Sequence, residues 1–182
     1  MKKVFVLMVL MLTLLAAPAM AKEGFFIGAS LIPSVDISGD AGNGLNDGSG
    51  YGFRLGLGFS KYFSIEGVLE RTKLDWTGGG KMDMDGVAVN ARLNFPLTTL
   101  DSAKVMSFEP YVLAGYGRYE VTSGGQSNDG SGFRLGIGIE QYLFKELSVN
   151  VGYTSTSVTF NTNPEMDGTI RVIDIGLIYH FL

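Results

Sequence analysis

From Tyr51 the chain reads Y-G-F-R-L-G-L-G-F-S, a strict alternation that few folds accommodate. Tyr51, Phe53, Leu55, Leu57 and Phe59 fall on one face of an extended strand. Gly52, Arg54, Gly56, Gly58 and Ser60 fall on the other, because successive side chains of a strand point to opposite sides. The same division recurs. Val87, Val89, Ala91, Leu93 and Phe95 oppose Ala88, Asn90, Arg92 and Asn94. Phe133, Leu135, Ile137 and Ile139 oppose Arg134, Gly136, Gly138 and Glu140. Leu147 to Tyr153 and Ile173 to Phe181 alternate likewise.

The polar face sets the polarity of the fold. A soluble sandwich would meet bulk water there with many Lys and Glu. Here the face carries Gly, Ser, Asn and Arg with almost no Lys, which suits a narrow, filled interior. The apolar face then points into lipid, the inside-out pattern of a transmembrane barrel. A lipocalin-like barrel would be built the other way round. The expected fold is all-β: an eight-stranded antiparallel up-and-down transmembrane barrel with a polar, filled lumen. Its strands are expected near 24–33, 51–60, 63–76, 84–95, 108–121, 131–141, 146–159 and 168–181. The connections at 60–62 and 141–145 are short. Those around 34–50, 77–83, 122–130 and 160–167 are rich in Gly, Asn, Asp and Ser. Short turns belong to the periplasm and long loops to the outside. The connection 96–107 breaks that rule by its length.

Residues 1–21 have the form of a signal peptide. Lys2 and Lys3 precede a run, 4–15, that is apolar apart from Thr13, and Ala19-Met20-Ala21 offers a small-residue cleavage site. The run is short for a membrane anchor. Residues 22–182 are expected to be the barrel domain, destined for the outer membrane of a Gram-negative bacterium.

Composition excludes much else. With no Cys there is no disulfide, Cys-based zinc site or thiol nucleophile. One His, His180, argues against paired-histidine metal sites, and no cofactor is expected. A formal charge of −4 without a basic run gives no footing for nucleic acid. The first loop carries Asp36, Asp40, Asn43 and Asp47, but their spacing fits no EF-hand.

A repeat divides the chain in two. G-F-R-L-G-L-G at 52–58 returns as G-F-R-L-G-I-G at 132–138, and N-D-G-S-G at 46–50 returns at 128–132. Met84-Asp85-Gly86 returns as Met166-Asp167-Gly168. A four-stranded unit occurring twice gives eight strands by a second route.

Three stretches carry a resemblance: G-F-F-I-G-A-S-L at 24–31; L-N-F-P-L at 93–97 with E-P-Y-V-L-A-G-Y-G at 109–117; and G-L-I-Y-H-F at 176–181. They make the chain resemble the eight-stranded OmpA/OmpX-like outer-membrane barrels, the porin-family or opacity-type surface proteins. The resemblance implies that Gly176, Tyr179 and Phe181 form the C-terminal signal that the outer-membrane assembly machinery reads. Leu182 departs from it, since the family usually ends on the aromatic.

The inward charges are the nearest thing to a chemical constellation. Arg54, Arg92, Arg118 and Arg134 are expected in the lumen with Glu66, Glu70, Glu120, Glu140 and Asp174. Counting back from the 61–63 turn puts Arg54 opposite Glu70. An eight-stranded barrel is only wide enough for its own side chains, and buried charges there must pair, so a salt-bridged plug is expected. Two aromatic belts are expected, with Tyr62, Phe63, Phe95, Tyr142, Phe144, Tyr179 and Phe181 at the turn end and Tyr51, Trp76, Tyr119 and Phe160 at the loop end. His180 as a catalytic base would need a Ser beside it, and its strand neighbours are Ile178 and Leu182. The expected function is non-enzymatic: an envelope scaffold, or a barrel presenting loops for adhesion or partner contact. A narrow solute channel is the alternative, and a lipid-modifying enzyme comes third. Expected partners are outer-membrane lipid and lipopolysaccharide, the assembly machinery and an extracellular ligand of the loops. The barrel is expected to be a monomer.

Overall fold

The alternation is realised as pleat. The computed structural model describes residues 23–77, 79–97, 108–162 and 165–181. Within them eight antiparallel strands close on themselves in chain order: β1 (Gly24–Gly39), β2 (Gly48–Ser60), β3 (Phe63–Asp75), β4 (Lys81–Asn94), β5 (Phe108–Ser123), β6 (Gln126–Tyr142), β7 (Leu147–Phe160) and β8 (Met166–His180). β8 pairs with β1 from Phe26↔His180 to Gly39↔Gly168, so no edge strand is left open. The signal segment 1–21, the stretch 98–107 and Leu182 lie outside the described residues.

Two loop-end features depart from the expected spans, each for a local reason. β1 does not stop at Pro33. Its register shifts between Ile32 and Val35 against β2, and between Leu31 and Ser34 against β8. Proline lacks the N–H a regular ladder needs and is accommodated at a bulge. The strand then resumes with inverted parity, so Phe26, Ser30 and Ile32 are buried before the bulge, and Val35 and Ile37 after it. Only the short helical turn Asp40–Gly42 and residues 43–47 remain as the first loop. The expected loop at 122–130 is instead a tight hairpin. Gly124 and Gly125 have φ of 58° and 85°, which lets two residues reverse the chain with a twist that matches the strands.

The outer wall is apolar around the whole barrel. Phe53, Leu55, Val87, Val89, Phe133, Leu135, Ile137, Ile175 and Leu177 are all exposed. A surface of this kind fits hydrocarbon, not water. Just towards the loops the outer wall becomes charged: Arg71 sits 3.5 Å from Asp85, Arg118 3.0 Å from Asp129, and Arg171 3.0 Å from Asp36. Among the described residues no helix is long and apolar enough to cross a membrane.

The interior is not polar throughout. Its loop-side part is an apolar cluster built on Ile32, Leu74, Met84, Tyr119, Ile170 and Val172. The charges occupy the rest.

Candidate functional site

Three arginines reach across the lumen, each to a carboxylate on a strand that is not its neighbour. Arg54 on β2 donates to Asp174 Oδ1 on β8 at 2.5 Å, and its other terminal nitrogen lies 3.9 Å from Glu66 Oε2. Arg92 on β4 pairs with Glu140 on β6, and its guanidinium stacks on the Tyr111 ring at 3.7 Å. Arg134 on β6 makes a bidentate pair with Glu70 on β3 at 2.6 and 2.8 Å. All six partners are buried. Charges removed from water need such partners, and breaking one pair strands the other charge.

Neutral groups complete the lattice. The Asn90 amide donates to Glu66 at 3.0 Å, the Asn150 amide to Asp174 at 2.9 Å, and Arg134 also donates to the Tyr119 hydroxyl at 3.3 Å. Glycines on the inner face make room for the bulk. A Cβ at Gly28 would stand 2.9 Å from the Arg54 stem, and a Cβ at Gly86 or Gly117 would stand 2.9 or 2.8 Å from the Tyr119 ring.

Two expected lumen residues are not there. Arg118 and Glu120 point outward; the Arg118 side chain is 72% exposed, against 3% for Arg134. β5 turns Tyr111, Leu113, Gly117 and Tyr119 inward, and Arg118 and Glu120 share the opposite parity with Val112 and Tyr116. Arg118 lies opposite Val87 at the loop-side edge of the apolar wall and reaches Asp129, and Glu120 lies opposite Asp85. The expected Arg54–Glu70 opposition is also corrected. Ser60 pairs with Phe63 at the turn, and a bulge between Gly58 and Ser60 shifts the register by one more, so Arg54 lies opposite Val68 and Glu70 opposite Gly52.

Three belt residues belong inside. Tyr119, Tyr142 and Phe160 are buried, their parity being that of the inner face, whereas Tyr62, Phe95, Phe144, Tyr179 and Phe181 are exposed at the turn end. Tyr179 and Phe181 meet edge-on at 5.0 Å on the outer wall, and Gly176 faces in. Glu109 is a buried carboxylate that sequence reasoning missed; it shares the parity of Tyr111 and lies opposite Glu140.

His180 does have a serine beside it, supplied by the neighbouring strand. Its Nε2 lies 3.2 Å from Ser148 Oγ and 2.9 Å from Glu140 Oε1, and Ser148 donates to the same carboxylate oxygen at 2.6 Å. A hydrolytic triad needs the acid on one ring nitrogen and the serine on the other. Here a single nitrogen faces both, and Glu140 is held by Arg92. The cluster is a structural network. Among the described residues no group of three or more His, Cys, Asp or Glu is placed to hold a metal ion.

Comparisons agree with this geometry. The chain resembles, in fold, the crystal structures of Neisserial surface protein A (TM-score 0.56, 15% identity, 86% of this chain and 97% of that one) and of Ail, the attachment invasion locus protein of Yersinia pestis (0.55, 16%, 87% and 99%). The N-terminal beta-barrel domain of Pseudomonas aeruginosa OprF is similar too (0.51, 12%, 86% and 97%). No curated protein sequence matches. The outer membrane protein beta-barrel domain family matches residues 7–181, nearly the whole chain. With its inside-out closed barrel and ion-paired lumen, the chain belongs to that outer-membrane β-barrel family.

Proposed function

We propose that the protein is a non-enzymatic, non-conducting barrel of the Gram-negative outer membrane that presents its loop end to partners outside the cell. The observation that carries this reading is the double closure of the lumen. A lattice of three cross-lumen arginine–carboxylate pairs is backed on the loop side by a layer of Leu74, Met84 and Ile170, each buried. A wall so filled serves to hold something in place. What it holds is the loop end, where β1, β5 and β6 continue past the apolar band. Two structural neighbours, a surface protein and an attachment invasion locus protein, favour the same role. Residues 1–21 act as a cleaved signal, Gly176, Tyr179 and Phe181 as the mark read at assembly, and lipid and lipopolysaccharide as the surroundings of a monomer whose strands are all paired.

The test is a whole-cell one. Cells displaying the barrel are compared with cells whose residues 40–47 are replaced by Gly-Ser sequence, for adherence to immobilised extracellular-matrix proteins. The expected result is loss of adherence with full assembly of the barrel. Unchanged adherence across replacements of 40–47, 76–80 and 161–165, or sustained single-channel conductance of the wild type, overturns the reading.

A further inference from the structure

A cavity of about 250 Å³ opens at the loop end, above the apolar layer. Ile37, Met82 and Phe160, all buried, form its base, and Trp76, Val121 and Met166 stand around them. Ser123, Gln126 and Asn128 of the β5–β6 hairpin bring polar groups, and Thr162, just after β7, adds a hydroxyl next to them, since the Asn161 N–H donates to the Asp129 carbonyl. The nearby chain carries Asp40, Asp47, Asp75 and Lys81, yet no charged side chain lines the cavity.

We propose that this cup binds a small uncharged molecule made of one aromatic ring or a short alkyl chain with a single hydroxyl. Size sets the upper bound. An apolar cavity of about 150 Å³ takes up benzene, so this one accommodates a substituted ring. The absence of lining charge excludes an ionic ligand, whose desolvation nothing would offset. The polar rim, formed by the β5–β6 hairpin and the adjoining Thr162, matches a ligand with one polar end. Met82 and Met166 supply unbranched, polarisable walls that adapt to shape. The cup is a dead end, because Leu74, Met84 and Tyr119 close the lumen below it, so the molecule is held and not passed on. The site is independent of any adhesive role of the loops.

Trp76 is the only tryptophan in the chain and lines the cup. Wild-type barrel in lipid nanodiscs is titrated with 4-bromobenzyl alcohol, whose bromine quenches indole emission on contact. Saturable quenching is expected. Met166→Phe and Ala41→Phe, which fill the cup, should each weaken the apparent affinity about tenfold, the equivalent of roughly 1.4 kcal/mol. In the wild type the methyl NMR signals of Met82 and Met166 should move with the same midpoint. Quenching that rises linearly and equally in all three proteins reports partition into the bilayer and overturns the site. So do unmoved methionine methyls in the wild type, which decide the matter if neither filled variant folds.

Discussion

Arg134 and Glu70 clasp each other across the lumen through two parallel hydrogen bonds, from strands separated by β4 and β5. The pair ties one wall of the barrel to another, a task no ladder between adjacent strands performs. Its fork-to-fork geometry is the strong form of an ion pair.

Replacing Glu70 by Ala should therefore lower unfolding stability by about 3–5 kcal/mol, since Arg134 is left buried without its partner. Arg134→Ala should cost a similar amount. The double variant should cost less than the sum, by about 0.5–3 kcal/mol. Arg54 and Glu70 share no hydrogen bond in the structure, and their double variant should show the weaker coupling. Urea unfolding of the refolded barrel in lipid vesicles measures all of these. A larger coupling for Arg54 with Glu70 would restore the register that the sequence count suggested.

The lipid face gives a second expectation. Leu55 is 53% exposed on the outer wall. Leu55→Arg should cost about 2–4 kcal/mol if Leu55 lies near the bilayer midplane. Its inward neighbour Gly56 is not a tolerant site. An added Cβ would collide with the Phe26 ring and stand 2.7 Å from the Ile65 carbonyl oxygen. Gly56→Ser should thus destabilise clearly, whereas Gly67→Ala, where a Cβ meets only an atom at 3.9 Å, should be close to neutral. Equal costs at Gly56 and Gly67 in the same urea assay would contradict the packing.

The Gly124-Gly125 turn predicts a backbone effect. Both residues have positive φ and neither Cβ would meet anything within 4 Å, so conformation alone decides. Ala at either position should cost about 1–2 kcal/mol, the usual penalty of the left-handed region for an L residue. Asn should be milder at both. If Ala and Asn prove equally benign in thermal unfolding, the hairpin is not the two-residue turn described.

Much of this was legible because period two survives any error in boundaries. Strand number follows from alternation and the lipid face from the near-absence of Lys on the polar side, and Arg54, Arg92, Arg134, Glu66, Glu70, Glu140 and Asp174 fall on the buried face by parity. β5 defeated the same reasoning because its two faces both carry aromatic and small residues: Tyr111 and Tyr119 inward, Tyr116 outward. Charge then suggested that Arg118 and Glu120 faced inward, when they lie at the charged loop-side edge of the outer wall, near Asp129 and Asp85. Register was lost for another reason. The Ser60–Phe63 pairing at the turn and the Gly58–Ser60 bulge together move the partner of Arg54 by two residues, and nothing local to Arg54 records it. Pairs across the lumen lie further still from sequence, since they depend on how far the whole barrel is sheared.

The last expectation concerns ion flow and separates the two closures. If the charged lattice alone blocked the lumen, removing Glu70 and Arg134 together would open it. The structure places a second barrier in series. Leu74, Met84 and Ile170 are buried in the loop-side layer, and they do not depend on that pair for their packing against Val35, Val158 and Val172. An apolar constriction excludes ions by refusing to hydrate them. The wild type should show no steady conductance in planar bilayers, and the Glu70→Ala/Arg134→Ala double variant should remain closed while losing stability. Only when Met84→Ser and Leu74→Ser are added should brief ion passage appear. Sustained conductance from the double variant would show that the arginine–carboxylate lattice was the sole gate. Conductance from the wild type would make the barrel a channel.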